Sequence, residues 1–280
     1  MFPDSTLHQR LSIVLLSGFV LLIFAIPSVT AAYASGGNIP FVAGTTTNKN
    51  PMWAGYGIAE PRRVVPIQGI WISFIQPKVI CNSTMTRPQA VEFLGGIDGP
   101  SPSDFAYVGT EAYCAVGSSF PKYNLTAFGS SSMFPVKAGD KIFGEINISV
   151  GVFLVDVYDN NSMKGIKATP LVGSSMLTKA ECIVSSVIEA TGLPLPLAKF
   201  RPAEFGQDYA GAVPFVPLSC NIAVGPNSGF GNPVGSAASG SFSLIKYIML
   251  NLALTQVRAK PSALTTDASS FIVRWKSYGP

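Results

Sequence analysis

Apolar positions along the chain recur with the period of β-strands rather than that of helices. Residues 64–75 read VVPIQGIWISFI, a run rich in β-branched and aromatic residues that favours a strand. In residues 141–150 the apolar positions alternate along one face, and Gly151 separates this run from VFLVDVYDN, which ends in a DNNS turn. The two runs predict a β-hairpin. A further alternating run closes the chain at residues 271–276.

Short strands separated by turns describe the rest of the chain as well. Beyond residue 34 no apolar pattern of helical period extends for more than about two turns. Many short strands with turn residues between them predict an all-β, antiparallel β-sandwich of two sheets. We find neither an internal repeat nor a second domain, so residues 51–280 are predicted to form this single domain. The small, polar residues 35–50 predict a flexible linker in front of it.

The first 34 residues have the pattern of a targeting segment. Arg10 precedes an uninterrupted apolar run, and small residues follow in Ala32-Tyr33-Ala34. A basic flank, an apolar middle and a small-residue end are typical of a secretory signal peptide. The alternative is an uncleaved apolar helix that anchors the chain in a membrane. Both interpretations place the domain outside the cytoplasm, either secreted or membrane-anchored.

Composition and charge exclude several classes of protein. Hydrophobic residues make up 48% of the 280 residues and charged residues only 12%, which excludes intrinsic disorder. The net charge is +4 and no basic cluster exceeds Arg62-Arg63, so we expect no nucleic-acid partner. The single histidine, His8, lies in the targeting segment. A Ser-His-Asp triad and a histidine metal site are therefore excluded, and we expect neither a cofactor nor a metal.

The cysteines and sequons agree with an extracytoplasmic location. Four cysteines follow the targeting segment without a Cys-x-x-Cys motif, and in an oxidising compartment they predict structural disulfides. The spacing leaves all three pairings open. These cysteines are Cys81, Cys114, Cys182 and Cys220. Four N-x-S/T sequons are candidate glycosylation sites: Asn82, Asn124, Asn147 and Asn160.

Isolated carboxylates in apolar segments are the candidates for chemistry. Asp98 lies in GGIDG, Glu111 in VGTEAYC and Glu181 in KAECIVSS. A carboxyl group surrounded by apolar strand residues can have a raised pKa and act as a general acid or base. The alternative is that each carboxylate only accepts backbone hydrogen bonds or lies at the rim of a sheet.

The order of short segments resembles the eqolisins, the glutamic peptidase family. The resemblance extends over residues 52–276, nearly all of the predicted mature chain. The segments that carry it are WAGY (53–56), GIWI (69–72), GIDG (96–99), GTE (109–111), AGD (138–140), AECI (180–183), LPLAKF (195–200), PSAL (261–264) and SFIVRW (270–275).

This resemblance implies a concanavalin-like sandwich of two antiparallel sheets with a cleft on one curved face. In the family a Glu and a Gln activate water to attack a peptide bond, typically at acid pH. Glu181 matches the catalytic Glu, which implies an acid endopeptidase with a peptide or protein as its partner. The remaining cleft residues implied are Trp53, Trp71, Asp98 and Glu111. The resemblance also implies the pair Cys81–Cys114, which leaves Cys182–Cys220.

One departure concerns the catalytic pair itself. Tyr107 stands at the family's Gln position, and no Gln lies between Gln89 and Gln207. A phenol can donate one hydrogen bond to an oxyanion, but it cannot be donor and acceptor in the manner of an amide. The alternative function is therefore a non-catalytic, secreted β-sandwich that binds a ligand or serves as a surface-structural protein. A third interpretation is a surface filament subunit that exchanges the 35–50 segment with its neighbour.

Overall fold

The structure is a computed structural model. It describes residues 45–59, 67–99, 105–149, 152–170, 177–189, 191–206, 221–224, 232–233, 243–265 and 270–279. The predicted signal peptide or anchor (1–34), the first part of the predicted linker and Cys220 lie outside these residues. Within the described ranges no helix is long and apolar enough to cross a membrane.

The described residues are organised as strands, which follow the alternation seen in the sequence. Nineteen strands are present within them. In chain order they are β1 (Thr46–Asn50), β2 (Trp53–Ala59), β3 (Ile67–Ile75), β4 (Val79–Ile80), β5 (Gln89–Asp98), β6 (Phe105–Cys114), β7 (Lys122–Ala127), β8 (Phe134–Val136), β9 (Lys141–Ser149), β10 (Val152–Asp159), β11 (Lys164–Ala168), β12 (Lys179–Ser185), β13 (Lys199–Phe200), β14 (Ala203–Phe205), β15 (Asn221–Val224), β16 (Asn232–Pro233), β17 (Ser243–Leu250), β18 (Val257–Pro261) and β19 (Phe271–Trp275).

Two layers of strands form the sandwich. In the first layer the order is β1-β17-β2-β12-β5-β6-β7-β8. In the second layer the order is β18-β19-β14-β3-β9-β10-β11, and β15 pairs with β3 next to β14. The β17–β18 hairpin joins the layers at one edge. This architecture is the predicted antiparallel β-sandwich, and β9 and β10 form the predicted hairpin.

Alternation along the strands gives each layer one face toward a common core. Val91 and Phe93 of β5 and Ile70 and Ile72 of β3 belong to the same buried cluster. The rings of Phe93 and Phe74 lie 6.1 Å apart between the layers. Burying such side chains contributes about 1.5–3 kcal/mol each, which is the main force that holds the layers together.

One disulfide fixes the first layer at the end of β6. Cys81, which follows β4, is bonded to Cys114, and their Cα atoms are 5.5 Å apart. The predicted Cys81–Cys114 pairing is therefore confirmed. Cys182 is also disulfide-bonded, and it faces the core from β12. Its predicted partner Cys220 lies outside the described residues.

The segment predicted as a linker contributes a strand. Residues 46–50 form β1, which pairs in parallel with β17 at the edge of the first layer. Main-chain groups alone supply this pairing, so the polar side chains of β1 remain exposed while an open strand edge is covered. The polar composition of residues 35–50 predicted a linker, although the last five of these residues form a strand.

A buried arginine ties the C-terminal residues to the sandwich. Arg258 in β18 is 0% exposed. Burial lowers the pKa of its guanidinium to about 10. The guanidinium donates hydrogen bonds to the backbone carbonyl oxygens of three residues that are distant in sequence: Pro51, Leu195 and Tyr278. Such bonds replace the water that a buried cation loses.

Candidate active site

Glu181 lies in the middle of β12 and faces away from the core. Its neighbours Ala180 and Cys182 face the core, and successive residues of a strand point to opposite faces. Although it faces outward, Glu181 is only 1% exposed. We call this outward face of the first layer, which carries Trp53, Glu181 and Tyr247, the site face.

Two glycines flank Glu181 in the sheet. Gly57 of β2 and Gly96 of β5 are its register partners on either side. A Cβ atom at Gly57 would lie 2.9 Å from the Cβ of Glu181, and one at Gly96 would lie 3.8 Å from its Cγ. Because neither neighbour has a side chain, other groups of the site face can reach the carboxyl group from both sides.

Tyr247, Trp53 and Lys179 meet beside this carboxyl group. Tyr247 of β17 is 1% exposed, and its ring packs edge-to-face against Trp53 at 5.8 Å. The Nζ of Lys179 lies 5.2 Å from the centre of the Trp53 ring. The same Nζ is 2.8 Å from Oδ2 of Asp98, with which it forms an ion pair. Glu181 is thus enclosed by aromatic rings and an ion pair.

Burial sets the protonation behaviour of Glu181. Loss of solvation raises the pKa of the carboxyl group, and Asp98 raises it further. Lys179 and the Tyr247 hydroxyl act in the opposite direction, but burial prevails. The Tyr247 hydroxyl lies against the carboxyl group without the geometry of a full hydrogen bond. Neither this hydroxyl nor Oε2 of Glu181 has a hydrogen-bond partner among the described residues.

Tyr107 lies in the same row as Glu181, on the far side of β5. Both residues are register partners of Gly96, so their Cα atoms are about 10 Å apart. The Tyr107 ring packs against Phe105 and Phe128, at 5.4 Å and 6.0 Å between centroids. Burial raises the pKa of its hydroxyl, and the nearby Thr126 side chain opposes the rise. Tyr107 is not among the groups that shift the pKa of Glu181.

A second pair of carboxyl groups lies further along the site face. Glu111 is the direct register partner of Glu92, across β5 and β6. Burial, together with the charge of Glu111, raises the pKa of Glu92 to about 7, although its register partner Ser185 opposes the rise. Burial also raises the pKa of Glu111. Glu92 is therefore partly protonated near neutral pH.

Trp71 is not brought to the site face. It belongs to β3 in the second layer, where Glu145 is its register partner and its ring lies 6.3 Å from that of Phe143. The sequence pattern around Trp71 predicts a strand, but it does not predict the layer to which that strand belongs. Of the cleft residues that the resemblance implied, the site face carries Trp53, Asp98 and Glu111.

Three residues of the site face have no signal of their own in the sequence. Tyr247 and Lys179 lie in ordinary alternating strands, and Glu92 precedes the GGIDG segment by two residues. Strand pairing brings them to the site: Tyr247 is opposite Gly55 on β2. The alternation of residues 243–250 could have placed Tyr247 on a strand face, but not beside Glu181.

Other predicted sites have simpler surroundings. The sequon residues Asn82, Asn124, Asn147 and Asn160 are all partly exposed, and their glycosylation stays a prediction. In the ranges that the structure describes, no group of three or more His, Cys, Asp or Glu side chains converges on a position for a metal ion. The side chains around Glu181 supply carboxyl groups, phenols and the ammonium group of Lys179.

The fold resembles solved structures of peptidases. One is SCP-B, a member of the eqolisin family, in complex with the tripeptide Ala-Ile-His; it has a TM-score of 0.58 and 14% sequence identity over 81% of this chain and 98% of that one. Scytalido-glutamic peptidase with a peptide-based transition-state analogue has a TM-score of 0.56 and 13% identity, with the same coverage. The chain has the eqolisin fold. No family model and no curated protein matches the sequence. At this identity the shared property is the eqolisin fold, and the function has to be argued from the site face.

Proposed function

We propose that this protein binds peptides on the site face and hydrolyses them through Glu181, in the manner of a glutamic peptidase. The observation that carries the proposal is the buried carboxyl group of Glu181 in its row of glycines. A buried carboxyl group with a raised pKa and unsatisfied oxygen is suited to exchange a proton with water. The eqolisin-fold structures that resemble it hold a tripeptide and a peptide-based analogue, which supports a peptide as the ligand.

In this proposal Glu181 acts first as a base and then as an acid. Its carboxylate accepts a proton from water while the water oxygen bonds to the carbonyl carbon of the peptide. The resulting carboxylic acid gives that proton to the amide nitrogen as the carbon–nitrogen bond breaks. The base must be ionised, so the rate is expected to rise with pH through the raised pKa of Glu181.

The aromatic group next to Gly96 has a role in substrate binding under this proposal. Phe105, Tyr107 and Phe128 form a continuous cluster of partly buried rings beside the Glu181 row. A peptide side chain that packs there would place its backbone over Gly96, where no side chain intervenes. Tyr107 thereby becomes a wall of the binding site.

A second candidate function is peptide binding without hydrolysis. Two arguments favour it: the sequence resemblance puts Tyr107 at the family's Gln position, and Trp53, Tyr247 and Lys179 surround Glu181. A non-catalytic protein would bind peptide on the same face, and Glu181 would then contribute a hydrogen bond rather than proton transfer.

We also propose that the domain functions outside the cytoplasm. Disulfide-bonded Cys81, Cys114 and Cys182 support an oxidising compartment. The signal peptide or anchor at residues 1–34 and the domain at 51–280 remain as predicted from the sequence.

An assay of peptide hydrolysis tests the proposal. Purified protein is incubated with a denatured protein substrate between pH 3 and 7, and new termini are counted by mass spectrometry. We expect cleavage by the wild type and a loss of at least 100-fold for Glu181→Gln. Glu145→Gln, a partly buried glutamate of the second layer, is the matched control and should retain activity. A wild type that binds peptide but does not cleave it would favour the second candidate function.

A further inference from the structure

Tyr247 reaches Glu181 across an intervening strand. It lies on β17, opposite Gly55 of β2, whereas Glu181 lies on β12 on the other side of β2. The ring spans this gap because Gly57 has no side chain: a Cβ atom there would lie 3.1 Å from Cε2 of Tyr247 and 2.9 Å from the Cβ of Glu181. Gly57 therefore allows a phenol from a non-adjacent strand to contact the carboxyl group.

The contact leaves two buried polar atoms unsatisfied. Tyr247 and Glu181 are each 1% exposed, and the hydroxyl and Oε2 are both without a hydrogen-bond partner among the described residues. More than about nine in ten buried polar groups in proteins have a partner, because leaving one unpaired costs about 1–3 kcal/mol. A ligand at this position can accept a hydrogen bond from the Tyr247 hydroxyl and donate one to Oε2 of Glu181.

We propose that Tyr247 is the second catalytic residue of the site face, and that its hydroxyl donates a hydrogen bond to the peptide carbonyl oxygen that becomes the oxyanion. The inference rests on the proposed hydrolysis by Glu181. Water bound at Oε2 gives its proton to Glu181 and its oxygen to the carbonyl carbon. The hydroxyl of Tyr247 stays protonated throughout and stabilises the negative charge that develops on the carbonyl oxygen.

Tyr247 fits this role better than Tyr107. The Tyr107 hydroxyl lies near the carboxyl groups of Glu92 and Glu111, whose charges disfavour an oxyanion beside it. The Tyr247 hydroxyl faces Glu181 at close range, and the charge of Asp98 adds to that of Glu181. Burial and Glu181 raise the pKa of Tyr247 above its usual range, so it remains a donor at every pH at which the protein would act.

The test compares Tyr247→Phe with Tyr158→Phe, which replaces a partly buried tyrosine of the second layer. We expect Tyr247→Phe to lower kcat about 100-fold while KM changes less than about threefold, because the lost donor acts on the transition state. The control variant Tyr158→Phe should stay within about threefold of the wild type. Thermal unfolding should show Tyr247→Phe to be as stable as the wild type or more so, since it removes an unsatisfied hydroxyl. A kcat for Tyr247→Phe within threefold of the wild type would overturn the inference.

A readout without catalysis separates this inference from the proposed function. The pKa of Glu181 can be followed by NMR of glutamate carboxyl groups labelled with carbon-13. Because the Tyr247 hydroxyl lowers that pKa, Tyr247→Phe should raise it, whereas Tyr107→Phe should not. If the wild type does not cleave peptides, the proposed function and the catalytic role of Tyr247 fail together. They fail even if the pKa measurement detects the contact between Tyr247 and Glu181. If the wild type is active and Tyr247→Phe leaves the Glu181 pKa unchanged, the inference alone fails.

Discussion

The opposed carboxyl groups of Glu92 and Glu111 predict that stability depends on pH in an unusual direction. Glu92 of β5 lies opposite Glu111 of β6 on one side and Ser185 of β12 on the other, and Tyr107 is nearby. No cation is among the groups that shift its pKa. Replacing Glu92 by Gln removes the charge but retains a side chain of similar size.

The size of the effect follows from the pKa of Glu92. It rises from 4.5 to about 7, so the folded state holds the proton more tightly than the unfolded state does. The stabilising neutral form is fully present below about pH 4.5, and its contribution is lost as the pH rises through about 7. At about 1.4 kcal/mol for each pH unit, the difference is about 3.5 kcal/mol. Because Glu92 is partly exposed, solvent screening reduces it to about 2 kcal/mol.

Thermal unfolding of the wild type and Glu92→Gln at pH 4 and pH 8 measures this difference. We expect equal Tm values at pH 4 and a Tm about 4–8 °C higher for Glu92→Gln at pH 8. Glu111→Gln should give part of the same gain, because it removes the charge that raises the pKa of Glu92. Glu204→Gln, a partly buried glutamate of the second layer, controls for removal of a carboxylate. A difference between wild type and Glu92→Gln that is the same at both pH values would refute the reasoning.

Two further predictions concern stability alone. Replacing both Cys81 and Cys114 by Ser should lower the free energy of unfolding by about 3–4 kcal/mol, since the disulfide closes a loop of 33 residues. Urea unfolding with and without reductant checks this prediction. An unchanged midpoint of urea unfolding would contradict it. Arg258→Ala should lower the free energy of unfolding by about 3–5 kcal/mol, because three buried or partly buried carbonyl groups lose their donor. Arg201→Ala, which removes an exposed arginine, is the control. Equal urea midpoints for the two variants would contradict the prediction.

Strand alternation and the ordered segments accounted for most of the fold. The hairpin of β9 and β10 follows from alternating apolar residues around Gly151, and the resemblance to eqolisins implied the sandwich and the Cys81–Cys114 bond. Polar residues 46–50 were assigned to a linker because a strand that pairs only at a sheet edge needs no apolar side chains.

The arrangement of the site was less accessible from the sequence. Alternation places Glu181 and Tyr107 on strand faces, but contacts across strands depend on register, which pairs Glu92 with Glu111 and brings Tyr247 over Gly57. The sequence also failed to predict the layer of Trp71. Its strand resembles a cleft strand and yet belongs to the second layer. Single residues such as Gly57 decide these contacts by lacking a side chain, and no local pattern distinguishes them from other strand glycines.

The most direct test of the account is peptide cleavage in water enriched in oxygen-18. If Glu181 activates water, the wild type should produce peptides whose new C-terminal carboxyl groups carry oxygen-18, and Glu181→Gln should produce none above background. Cleavage by Glu181→Gln at the wild-type rate, or no cleavage by a correctly folded wild type between pH 3 and 7, would contradict the account.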